Sequence, residues 1–133
     1  MHYVAIVTVL ALLEFLWFIV EVGRARTKYG VKAPATVGHE IFERHFRVQM
    51  NTLEQLVLFV PALWIFAAYV SPLWAAVLGL VFVVGRLLYG LSYVRDPRSR
   101  SLGFALTALP TLLLLAGIMV WAIRAAFITA SLQ

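Results

Sequence analysis

Apolar residues run along this chain in four long blocks separated by short polar connections. The blocks cover roughly Tyr3–Val22, Leu53–Val70, Leu73–Val94 and Leu102–Phe127. A helix needs about 20 mostly apolar residues to cross a bilayer, and each block predicts such a helix. The first is broken by Glu14 and Glu21, and the second continues a helix that starts near Gly38 in water. Ser71-Pro72 predicts a tight turn between the second and third. Asp96-Pro97 ends the third, since a residue before proline disfavours the helical region. Pro61 lies inside the second span and predicts a kink there. No tandem repeat or low-complexity segment interrupts the pattern, so residues 1–133 read as one domain. The apolar run begins at once, without a basic n-region or an Ala-x-Ala site, which predicts a retained helix rather than a signal peptide.

Composition supports the same solvent. Of 133 residues, 63% are hydrophobic and 13% charged, against about 45–50% and about 25% in soluble domains. A chain this small leaves much of itself exposed, and water would not tolerate that surface. There is no cysteine, which excludes disulfides, Cys-based metal sites and a protein thiol nucleophile. Any thiol chemistry must therefore come from a ligand. His2, His39 and His45 are scattered and predict no metal site. The net charge of +5 is read as membrane topology and not as a nucleic-acid partner.

The charge distribution sets that topology. The first connection holds Arg24, Arg26, Lys28, Lys32, Arg44 and Arg47, and the third holds Arg95, Arg98 and Arg100, nine of the eleven basic residues. With four spans these two connections lie on one side. Tyr69–Trp74 and the N-terminal end carry no Lys or Arg. The positive-inside rule predicts the 24–47 and 95–101 loops in the cytoplasm and both termini outside. Trp17, Trp64, Trp74 and Trp121 are candidate interface anchors, or ordinary packing.

Polar residues within spans are costly and often functional. Arg47, Asn51 and Glu54 fall at i, i+4 and i+7 on the second helix and share one face. Arg86, Tyr89 and Tyr93 do the same at the cytoplasmic end of the third. Arg100 follows a short turn later, and Arg24 and Arg26 close the first helix at that end. Helix ends bearing several guanidiniums, a carboxylate, amides and phenols suit a small, mostly anionic ligand with several carboxylates and one ammonium. Guanidiniums grip carboxylates bidentately, a carboxylate such as Glu54 holds an ammonium, and phenols hydrogen-bond either.

Blander readings exist for each. Basic residues at a membrane face also serve topology and lipid contact. Glu43 and Arg47 are spaced as a helix pair, and tyrosines at helix ends form interfacial belts. Asn51 and Glu54 are otherwise explained by interhelical hydrogen bonds. Glu14, alone in mid-span, can cap a helix contact, sit protonated, or carry protons in transport. Arg124 reads as interfacial.

Phe42-Glu43-Arg44 through Arg47, Gln49, Asn51 and Glu54, followed by Arg86-x-x-Tyr89-x-x-x-Tyr93 and then Arg100, resembles the MAPEG family, the membrane-associated proteins in eicosanoid and glutathione metabolism. The resemblance covers roughly residues 24–103 and preserves the helix order. Asn51-Thr52-Leu53-Glu54-Gln55-Leu56 resembles bacterial members; Thr27 and Gln55 depart from the leukotriene-forming pattern. The resemblance implies an all-α, four-helix bundle in a bacterial inner membrane, assembled as a homotrimer with glutathione as cosubstrate between neighbouring subunits. It implies that Arg100 polarises the glutathione sulfur. It assigns the peptide to Arg47, Asn51, Glu54, Tyr89 and Tyr93, its glycine carboxylate to Arg26 and Gln49, and a bracing role to Arg86.

The function expected on these grounds is a glutathione transferase, with possible peroxidase chemistry, acting on lipophilic electrophiles or hydroperoxides that arrive from the lipid. Two other classes compete. One is a non-catalytic lipid-binding member of the same family. The other is a small proton-coupled multidrug transporter using Glu14, against which the basic loops would repel cationic drugs.

Overall fold

In a computed structural model, which describes residues 1–131, the chain is a bundle of four long helices. They are α1 (His2–Lys28), α2 (Glu40–Tyr69), α3 (Pro72–Arg95) and α4 (Ser101–Ala130), with a single 3₁₀ turn at Pro97–Arg100 before α4. All four are long and apolar enough to cross a membrane, and the chain is an integral membrane protein.

Local chemistry sets the boundaries. The His39 side chain accepts from Ile41 N–H at the start of α2. Ser71 Oγ accepts from Trp74 N–H at 3.3 Å, with Pro72 in the first turn of α3, where its missing N–H costs nothing. Asp96 ends α3 and turns its carboxylate onto Arg98 N–H at 3.0 Å, which starts the 3₁₀ turn. α1 runs beyond the apolar block to Lys28 and carries Arg24 and Arg26 on its last turns. It stops where Gly30 adopts a φ of 68°, a conformation that a side chain resists. At 30 residues α2 is about 45 Å long, well beyond a hydrocarbon core of about 30 Å. Its first turns therefore stand outside the core, as the start near Gly38 predicts. The helix runs on through Pro61, which lies on its exposed side.

The helices pack through small residues, the usual device where lipid replaces water and only close approach gains dispersion energy. A Cβ on Gly85 would lie 2.7 Å from the Leu106 backbone, and one on Gly90 2.7 Å from the Phe18 ring. In the bundle centre Phe59 of α2 stacks on Phe82 of α3 with centroids 3.6 Å apart. Val4, Val7, Ala11, Leu56, Leu63 and Leu114 surround them. Large apolar side chains such as Leu12, Leu13, Leu16, Leu112 and Leu113 stay exposed on the flanks, as expected of a surface bathed in acyl chains. The C-terminal ends of α1 and α3 and the N-terminal ends of α2 and α4 meet at one end of the bundle, so the basic connections share a side.

Candidate functional site

The polar side chains of α2 and α3 converge at that basic end. Arg47 and Asn51 of α2, Tyr89 of α3, Arg100, and Ser101 and Phe104 of α4 line a cavity of about 400 Å³. That volume lies within the range typical of small-molecule sites. Tyr93 and Arg47 line an adjoining depression with Glu43 and Arg44, so Arg47 stands between the two. The Tyr89 and Tyr93 rings stack with centroids 5.5 Å apart. The Arg100 guanidinium is exposed and lies over the Tyr93 ring at 5.7 Å, without a side-chain hydrogen bond among the described residues. Glu54 is exposed and accepts from Asn51 Nδ2 at 3.4 Å. The α2 triplet at i, i+4 and i+7 does share a face.

Arg86 is deeper than its neighbours on α3. It is fully buried, the largest such side chain among the described residues. Nη1 donates to Asn51 Oδ1 at 3.2 Å and Nη2 to Thr52 Oγ1 at 2.8 Å, while the guanidinium lies 4.2 Å from the Tyr89 ring centroid. An interior guanidinium without partners would cost several kcal/mol. Two of the partners, Asn51 and Tyr89, line the cavity, so Arg86 braces α2 against α3 from behind the cavity wall. Thr52 Oγ1 in turn donates to Val48 O at 2.7 Å. Thr52 carries no signal of this role in the sequence, where it reads as one more small residue in the span.

Two of the predicted residues lie elsewhere. Arg26 donates to Ala35 O at 2.7 Å and to Val31 O at 3.4 Å, and covers the Phe42 ring at 4.7 Å. It ties the α1–α2 connection to the base of α2. Gln49 is half-buried and follows Phe42 by seven residues, so it shares the α2 face that Arg26 packs on and turns away from Asn51. The cavity of one chain thus holds Arg47, Asn51, Tyr89 and Arg100 but neither Arg26 nor Gln49.

Arg44 has a role that the sequence does not disclose. Its Nη1 donates to Val94 O at 3.0 Å and Arg95 O at 3.1 Å, closing carbonyls that α3 leaves open at its C-terminus. Its Nη2 also pairs with Glu40. The guanidinium therefore fixes the start of α2 to the end of α3 beside the cavity.

Comparison with known proteins gives a consistent picture. The model of the MAPEG family matches residues 4–120. The chain is 48% identical over 123 residues to an uncharacterized protein of Synechocystis sp., covering 90% of each. It is 40% identical over 103 residues to microsomal glutathione S-transferase 2 of Homo sapiens, covering 77% of this chain and 70% of that one. It is 38% identical over 133 residues to leukotriene C4 synthase of Cavia porcellus, covering 93% and 88%.

Proposed function

The chain belongs to the MAPEG family, and from that premise we propose that it is a membrane-bound glutathione transferase with Arg100 as the thiol-activating residue. The observation that carries this reading is the cavity of Arg47, Asn51, Tyr89 and Arg100, with Glu54 bonded to Asn51 at its edge. Glutathione has two carboxylates, one ammonium and one thiol. Arg47 offers a guanidinium for a carboxylate, Glu54 a carboxylate for the ammonium, and Asn51 and the two phenols offer amide and hydroxyl groups for the peptide. Relatives named as a glutathione transferase and a leukotriene C4 synthase support the same ligand.

A free thiol has a pKa near ~8.5 and is mostly protonated at neutral pH. A guanidinium within about 4–6 Å favours the thiolate by roughly 1–3 pKa units. In this reading Arg100, which lies over Tyr93 and lines the cavity, performs that task. In transfer, the thiolate sulfur attacks an electrophilic carbon and the leaving oxygen or halide departs with the bonding pair. In hydroperoxide reduction, the sulfur takes the terminal oxygen, the O–O bond breaks and the alcohol leaves. A second glutathione then displaces water from the sulfenic form to give the disulfide.

Assembly belongs to the same reading. Arg26 and Gln49 lie on the far side of α2 from the cavity, so in a homotrimer they would serve the cavity of an adjoining protomer. The positive-inside distribution supports cytoplasmic 24–47 and 95–101 loops in a bacterial inner membrane, the side that supplies glutathione.

The test is calorimetric titration of the purified full chain in detergent with glutathione, followed by conjugation of a chromogenic electrophile. Saturable binding and glutathione-dependent turnover are expected. Absence of binding at millimolar glutathione would overturn the reading.

A further inference from the structure

The helix–helix register brings an unassigned carboxyl to the back of the site. Val7 of α1 abuts Gly79 of α3, and Phe18 of α1 abuts Gly90. Both pairs are 72 positions apart, so α1 and α3 run parallel and in step. The same offset sets Glu14 opposite Arg86, on the face and at the level where Arg86 is buried. The side chains agree with the register. Glu14 Oε1 and Arg86 Nε are both buried, and neither has a hydrogen-bond partner among the described residues. Arg86 Nη1 and Nη2 donate to Asn51 and Thr52, and Nε is the Arg86 nitrogen that has no partner among the described residues.

We propose that Glu14 is a positioning residue: its carboxyl completes Arg86 at Nε, directly or through one water, and thereby holds Asn51 in the geometry that binds glutathione. This rests on the glutathione reading for its second half only. A polar chain then crosses three helices, from Glu14 of α1 through Arg86 of α3 to Asn51 of α2 and Glu54 at the cavity edge. A buried polar chain of this kind is strong when every member is satisfied and costly when one is removed. Glu14 also fits this role better than transport, because its Oε1 is buried and it does not line the cavity.

The experiment has two arms, both on the full chain in detergent. The first is a thermal-midpoint cycle of Glu14→Leu, Arg86→Met and the double variant. Non-additive losses are expected, with the double variant no worse than the worse single variant. Additive losses would overturn the pairing. The second arm measures glutathione affinity. Glu14→Leu should weaken it about tenfold with the KM for the electrophile unchanged. Glu14→Gln should restore most of it, and Glu14→Leu should add nothing in an Asn51→Ala background. Equal weakening of both substrates, or an added loss beyond Asn51→Ala, would overturn the positioning role. Should Arg86→Met yield no protein, Thr52→Val replaces it in the first arm. Should the unaltered chain bind no glutathione, the function fails and the first arm still decides the pair.

Discussion

Gly103 of α4 lies against the backbone of Tyr89 of α3, so that a Cβ at Gly103 would fall 2.5 Å from Tyr89 Cα and 2.8 Å from its Cβ. The atoms it meets belong to a helix backbone and cannot swing aside. Gly103→Ala must therefore push α3 and α4 apart, a strain of about 1–3 kcal/mol. Tyr89 and Phe104 flank this contact, so the cavity widens with it. A lower thermal midpoint and weaker glutathione binding are expected together. Gly23→Ala is the control: nothing lies within 4 Å of its Cβ, and the helix gains up to about 1 kcal/mol.

Arg100→Ala should lower turnover by roughly 10²–10³-fold, the scale of losing one charge-stabilising donor, while the glutathione dissociation constant stays within a few-fold. Titration of the thiolate absorbance in the binary complex should move toward the free thiol's range. Arg98→Ala, exposed and outside the cavity, serves as the comparison. Equal turnover in purified Arg100→Ala protein would reject the role.

Glu54→Ala removes the partner expected for the glutathione ammonium. A charge-assisted hydrogen bond is worth about 1.5–3 kcal/mol, so affinity should fall at least tenfold. Glutathione lacking its free amine should show no such loss. An unchanged dissociation constant by calorimetry would assign Glu54 to holding Asn51 alone.

Much of this was legible in the residue pattern. Four apolar blocks bounded by Ser71-Pro72 and Asp96-Pro97 fixed the spans, because hydropathy in a bilayer is read one helix at a time. The helical period also grouped Arg47 with Asn51 and Tyr89 with Tyr93. Period gives angle but not depth. Arg86 shares a face with Tyr89, yet its burial depends on Asn51 and Thr52 arriving from α2. Arg44 resembled any loop cation until the end of α3 was placed beside it. Glu14 had no sequence neighbour to explain it, since the proposed partner, Arg86, is 72 residues away on a parallel helix.

Topology can be read chemically because the sequence holds no cysteine, so an introduced cysteine is the sole thiol. Val37→Cys, in the first connection, should resist a membrane-impermeant maleimide in intact cells and react after lysis. Val70→Cys, between α2 and α3, should react in intact cells. Both positions are exposed. The reverse labelling would invert the assigned orientation.

The two carbonyls gripped by Arg44 make the cavity mouth asymmetric. On that side, α2 and α3 are riveted together, and separating them would break two charge-assisted bonds at once. On the other side, the 3₁₀ turn leading to α4 is secured by Asp96, whose carboxylate accepts from Arg98 N–H, and by the Ser99 hydroxyl, whose one proton is shared between Ser92 O and Asp96 O. A bulky guest thus meets one wall cross-linked through Arg44 and another that carries Arg100.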